Sequence, residues 1–99
     1  MAIERSTEAE IAVALAGLPD WSRADTAIHR EVICRTFADA IALVVRVGFL
    51  AEAADHHPDL DVRWRTVSIA LTTHDCGGLS ERDFALAVEI DRAAAGVVA

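Results

Sequence analysis

Three histidines in this chain stand on a fixed frame of carboxylates. Glu52 lies four residues before His56, and the pair His56-His57 is closed by Pro58. Trp64 follows, then His74, then Asp83. Histidine changes charge near neutrality, so groups like these can give and take protons at physiological pH. No activated nucleophile and no phosphate-binding loop accompanies them. The pattern points to proton-transfer chemistry on a small molecule.

Each member also has a plainer reading. Glu52 and His56 are four apart and share a helix face, so Glu52 is expected to orient or charge-stabilise His56. The alternative is a surface pair, with His favoured at a helix C-terminus by the dipole. His57 precedes proline and leaves the helix in another direction, towards ligand or solvent. His74 ends a strand and enters the Gly77-Gly78 loop, a junction where functional groups often sit. Asp83 reads as a helix cap. His29 lies in a strand without partners in sequence and takes no role. Zinc is the sharper rival, because His56, His57, His74, Asp75 and Cys76 are suitable ligand types. Their spacing is poor, since adjacent histidines rarely hold one ion and His74-x-Cys76 is not a closed-site pattern. Nothing marks Cys76 as an activated thiol.

The elements that must carry these groups can be read from local signals. Thr7 with Glu10 has the spacing of a capping box and opens a first helix that ends at Gly17 to Asp20. Trp21 begins a short extended piece, Asp25-Thr26 turns, and Ala27 to Arg35 reads as a strand. Thr36 caps a second helix running to Asp55, where Pro58 stops it. Its apolar residues, Phe37, Ile41, Leu43, Val44, Val45, Val47, Phe49 and Leu50, nearly encircle it, which predicts burial on more than one face. Val62 to Thr73 is extended, with Val67, Ile69 and Leu71 on one face. Whether Val62 to Trp64 is a separate strand stays open. Ser80 caps a third helix with Asp83 at its third position, and Leu79 with Phe84 has staple spacing. The order predicts an α+β fold with helices on one face of an antiparallel sheet.

With 99 residues the chain is expected to form one domain. A hydrophobic fraction of 54% is high for that size and predicts a partner subunit. The net charge of −7 disfavours nucleic acid and anionic membrane surfaces as partners. The opening Met1-Ala2-Ile3-Glu4-Arg5 lacks a leader pattern, and the apolar run from Ile41 to Ala54 is broken by Arg46 and Glu52. A cytoplasmic location is expected, with Cys34 and Cys76 reduced.

The spacing from Glu52 through His56-His57-Pro58, Trp64 and His74 to Asp83 resembles the signature of the pterin-4a-carbinolamine dehydratases. The run Thr73-His74-Asp75-Cys76-Gly77-Gly78-Leu79-Ser80-Glu81-Arg82-Asp83 is especially similar, and Trp21 and Arg46 extend the match more weakly. The resemblance implies a four-stranded antiparallel sheet with three helices on one face, assembled as a homodimer or homotetramer. It implies loss of water from 4a-hydroxytetrahydropterin to give quinonoid dihydropterin. That step recycles the pterin cofactor of aromatic amino-acid hydroxylases, with no metal or redox cofactor of the enzyme's own. By the same resemblance His56, His57 and His74 line the pterin, with Asp83 and Glu52 among the site residues. Asp55, Thr72, Thr73 and Asp75 border it. His56 and His74 are the expected proton-transfer pair and His57 mainly binds. Many members carry an aromatic residue after His-His-Pro where this chain has Asp59-Leu60, so Trp21 is expected to supply stacking instead. The alternative function is a non-catalytic binding or assembly scaffold. Mammalian relatives also partner a homeodomain transcription factor, and some bacterial relatives resemble assembly chaperones of a carbon-fixing enzyme. Such scaffolds typically lose the histidine set that this chain keeps.

Overall fold

The computed structural model describes residues 3–99; Met1 and Ala2, part of the opening read for a leader, lie outside it. The elements run α1 (Glu8–Ala16), β1 (Ser22–Ala24), β2 (Ala27–Ile33), α2 (Phe37–Ala54), β3 (Asp59–Arg63), β4 (Thr66–Leu71), a 3-10 turn (His74–Cys76) and α3 (Glu81–Ala94). The strands form one antiparallel sheet in the order β1-β2-β4-β3. Among the described residues, no helix is long and apolar enough to cross a membrane.

Local chemistry starts and stops the helices. Thr7 accepts from the Glu10 N–H while Glu10 returns the bond to the Thr7 N–H. Those hydrogen bonds, the backbone one first, hold the Glu10 carboxyl below its ordinary range. Thr36 accepts from the Asp39 N–H, and Ser80 with Asp83 forms a second reciprocal box at α3. Helix α2 ends where Asp55 turns left-handed at φ 48°. The open question at Val62 is settled by a hairpin. β3 and β4 are separate strands joined by the two residues Trp64 and Arg65, with Trp64 at φ 51°. β2 stops at Ile33, short of the expected Arg35. There Cys34 bridges to Val98 and Arg35 donates its N–H to the Val97 carbonyl, so the tail takes over the pairing.

The core lies between one sheet face and the helices. β2 contributes Ile28 and Val32, and β4 contributes Val67, Ile69 and Leu71. α2 adds Ala40, Leu43 and Val47, and α3 adds Leu86, Ala87 and Ile90. Cys34 is buried and Cys76 half-buried, and both are free thiols. Burial pushes the Cys34 thiol above its ordinary range. The other sheet face carries His29, Glu31, Asp59, Asp61, Ser68 and Ala70 around a recess of about 610 Å³. The large apolar residues of α2 that stay exposed form a row four apart: Phe37, Ile41, Val45 and Phe49, the last 74% exposed.

One polar tie crosses this core. Arg30 points from β2 to the helix side and donates through Nη1 to Asp91 Oδ1 on α3. The buried Trp21 donates its indole N–H to the same oxygen at 2.8 Å. Removing Asp91 leaves the Trp21 N–H unpaired and Arg30 with only the Asp20 carboxylate, 3.7 Å away. Asp91→Ala is therefore expected to cost about 3 kcal/mol, similar to truncating a core aliphatic. Urea unfolding followed by circular dichroism checks this, and a loss below about 1 kcal/mol would make the tie a surface ornament.

Candidate active site

The site is built where three elements end. β4 runs out at Leu71 and delivers Thr72, Thr73 and the turn His74–Cys76. α2 runs out at Ala54 and delivers Asp55, His56 and His57. α3 begins at Glu81 and presents Asp83 in its first turn.

Asp83 joins them. Its side chain is fully buried, and a buried carboxylate is costly unless it is hydrogen-bonded. In this fold it accepts three bonds. Oδ2 takes the Ser80 N–H at 3.0 Å and the Thr73 hydroxyl at 2.8 Å, while Oδ1 takes His56 Nε2 at 2.6 Å. Ser80 Oγ lies 2.7 Å from Thr73 Oγ1; since the Thr73 proton goes to Asp83, Ser80 is the donor in that contact. An ionised carboxylate only accepts, so neutral His56 carries its proton on Nε2 and keeps a lone pair on Nδ1. Nδ1 has no partner among the described residues and is not one of the sealed, unpaired atoms, so its edge reaches solvent. A buried acid thus fixes the tautomer of a histidine whose other nitrogen faces outward, an arrangement suited to a general base.

The expected Glu52–His56 pair does not form. Glu52 Oε1 lies 2.7 Å from His57 Nε2 instead, with both side chains exposed. Helical spacing would hold only if the helix continued. Asp55 in the left-handed region ends it, swings His57 back over Glu52 and turns His56 inward to Asp83. Asp83 is thus both the cap the sequence predicted and the partner of His56, which the cap reading alone did not predict.

The remaining candidates fall as follows. Thr73 is buried in the Asp83 network, and Thr72 spends its hydroxyl on the Thr26 carbonyl at 2.6 Å. His74 and Asp75 are exposed in the 3-10 turn next to Thr73, and Asp55 is exposed at the end of α2. Trp21 is not with them. It lies in the core and bonds to Asp91, eight residues along α3 from Asp83 and so about 12 Å away along the helix axis. Its burial leaves no ring face for a ligand, so the stacking role expected of it does not hold. Beside Glu52 and His57 lies an apolar hollow of about 420 Å³ lined by Val45, Gly48, Phe49, Pro58 and Leu60. Among the described residues, no three His, Cys, Asp or Glu side chains gather closely enough to hold a metal ion. Two participants went unread in the sequence. Ser80 as a donor in the network was visible only as a cap, and Arg5, which contacts the His74 turn, has no local signal at all.

Comparison with known proteins places the chain in a family. A family model described as pterin 4 alpha carbinolamine dehydratase matches residues 4–93. A protein of Chloroflexus aurantiacus, provisionally named pterin-4-alpha-carbinolamine dehydratase, is 58% identical over 87 residues, covering 88% of this chain and 94% of the relative. One of Nocardia farcinica with the same provisional name is 51% identical over 94 residues, covering 95% of this chain and 99% of the relative. The crystal structure of a transcriptional coactivator/pterin dehydratase from Brucella melitensis superposes with a TM-score of 0.89 at 30% identity, covering 92% of this chain and 99% of that one. A pterin dehydratase-like protein identified as a RuBisCO assembly factor in the alpha-carboxysome shares the fold, with a TM-score of 0.64 at 20% identity, covering 75% of this chain and 86% of that one.

The Asp83 network yields a structural prediction independent of any substrate. Asp83→Ala removes the shared acceptor of the Thr73 hydroxyl, the Ser80 N–H and the His56 ring, and is expected to cost about 3 kcal/mol or more, the scale of breaking a buried charged network. Asp83→Asn keeps the shape and should fold, but its NH₂ facing His56 forces the proton to Nδ1. Nitrogen chemical shifts of the His56 ring distinguish the two tautomers, and an unchanged Nε2–H in the Asn variant would refute the assigned orientation of the ring.

Proposed function

This chain belongs to the pterin 4 alpha carbinolamine dehydratase family, and on that premise we propose that it removes water from a 4a-hydroxytetrahydropterin by histidine acid–base catalysis. The product is quinonoid dihydropterin, which returns the pterin cofactor of aromatic amino-acid hydroxylases to its cycle. In this step the bond from C4a to the hydroxyl oxygen breaks, that oxygen takes a proton and leaves as water, and N5 loses a proton. One donor and one acceptor beside the same ring complete the balance.

The observation that carries the reading is the His56–Asp83 pair. Asp83 holds the ring with Nδ1 free on the outward edge, so His56 can take a proton and Asp83 can stabilise the imidazolium that results. His74 comes one residue past Thr73, which is bonded to the same carboxylate, and its side chain is exposed. We assign these two the proton transfers. His57, braced by Glu52, binds, and Asp55, Thr72, Thr73 and Asp75 border the ligand. Asp83 acts through His56 without touching substrate. Trp21, being buried, is left out of the site. The protein is placed in the cytoplasm, where its two free thiols would stay reduced.

The proposal extends to assembly as a homodimer or homotetramer through α2. Phe37, Ile41, Val45 and Phe49 make a continuous exposed apolar row, and monomeric proteins seldom leave such a row uncovered. Light scattering should give a mass well above the 10.6 kDa chain. Val45→Glu combined with Phe49→Glu should bring it down to that value; a wild-type monomer would end this part of the proposal.

The catalytic reading is tested by single-turnover dehydration of enzymatically generated 4a-hydroxytetrahydropterin. His56→Ala and His74→Ala are each expected to slow turnover by about 10², the usual scale of one acid–base contribution. The double variant should retain almost nothing above background, and His57→Ala should mainly weaken binding. Unchanged turnover in both single variants, in folded protein, would favour the assembly-factor role that the fold serves in the alpha-carboxysome relative.

A further inference from the structure

We propose that Arg5 is a positioning residue for the site, strapping the His74 turn from outside. The inference rests on the reading of His74 as a proton-transfer group. Arg5 lies in the segment before α1, seventy-one residues away in sequence, yet its Nε and Nη2 both donate to the Cys76 carbonyl, at 3.1 and 3.0 Å. The segment is pinned beside the turn by the Ser6 N–H on the Leu79 carbonyl at 2.8 Å.

The side chain does more than bond. Its stem lies flat over the two glycines. A Cβ on Gly78 would stand 3.1 Å from Arg5 Nε and 3.3 Å from its Cδ, and one on Gly77 would stand 3.0 Å from Nη2. Gly77 is also left-handed at φ 69°. The glycine pair therefore meets two demands, a turn that reverses the chain and a floor on which an arginine can rest.

His74 needs such a strap because its ring makes no hydrogen bond among the described residues. The turn it sits on is three residues long and closes through backbone bonds: Thr73 and Gly78 exchange N–H bonds at 3.0 and 3.3 Å, and the Gly77 N–H reaches the His74 carbonyl at 3.1 Å. On one side Thr73 is anchored in the Asp83 network; on the other, Arg5 holds the Cys76 carbonyl, while the Cys76 thiol bonds back to the Thr73 and Gly78 carbonyls. His56 is held by a buried acid and His74 by a strapped backbone. A shift on the order of 1 Å at a catalytic group can cost up to about 10² in rate.

The test is a double-mutant cycle between Arg5 and His74, read by single-turnover dehydration, pterin affinity and urea unfolding. Arg5→Ala is expected to slow turnover about tenfold with pterin affinity changed by less than about threefold, a loss of orientation rather than of binding. Arg5→Lys should recover part of the rate, since an ammonium reaches the carbonyl but without the paired hydrogen bonds of the planar guanidinium. In the His74→Ala background, Arg5→Ala should change turnover by less than about twofold, because the group it positions is gone. Gly78→Ala, which pushes the arm aside, should match Arg5→Ala and serves if that variant unfolds. An equal loss in both backgrounds, or no loss in the single variant, overturns the proposal. A wild-type protein that dehydrates nothing would defeat the functional reading instead. Amide exchange at Gly77 and Gly78 then decides the strap: about tenfold faster exchange in Arg5→Ala supports it, and unchanged exchange refutes it.

Discussion

One buried carboxylate organises this protein. Asp83 must find three donors because a charge in that place is otherwise too costly to keep, and the three come from the ends of β4, α2 and α3. Satisfying it fixes the angle at which α3 starts and the course of the chain after β4. It also sets the direction in which His56 leaves α2. Stability and orientation are therefore the same set of bonds. The aliphatic layer supplies most of the burial but is tolerant in geometry, whereas three hydrogen bonds on one carboxylate are not.

Helix α2 shows how a small chain divides one element between two tasks. Ala40, Leu43, Val47 and Ala51 face inward, the alanines allowing close approach to the neighbouring helix and sheet. Phe37, Ile41, Val45 and Phe49 face out on the opposite side. The outward row ends at the hollow beside His57, so a neighbour covering that row would border the ligand region as well.

What could be read in advance follows how local each signal is. Capping residues act within four positions, and Thr7 with Glu10, Thr36, and Ser80 with Asp83 all did what their spacing implied. The hairpin at Trp64-Arg65 was not legible because neither residue belongs to the usual turn set, and a tryptophan at positive φ is held there by the paired strands. The wrong partner for Glu52 came from carrying helical spacing past the left-handed Asp55 to His56. Trp21 matched a motif by type and order, but its ring packs in the core, where its indole N–H reaches the half-buried Asp91. Arg5 was invisible because nothing in a sequence of 99 residues marks a contact across seventy-one of them.

The double duty of Asp83 also sets which losses the chain can survive. A change at Asp83 would loosen the fold and the orientation of His56 together. His74 and His57 are exposed at element ends, so replacing either leaves the core intact. A descendant of this chain that abandoned catalysis for scaffolding would thus be expected to keep its buried acid and shed its surface histidines. In such a lineage the carboxylate would outlast the reaction it once served.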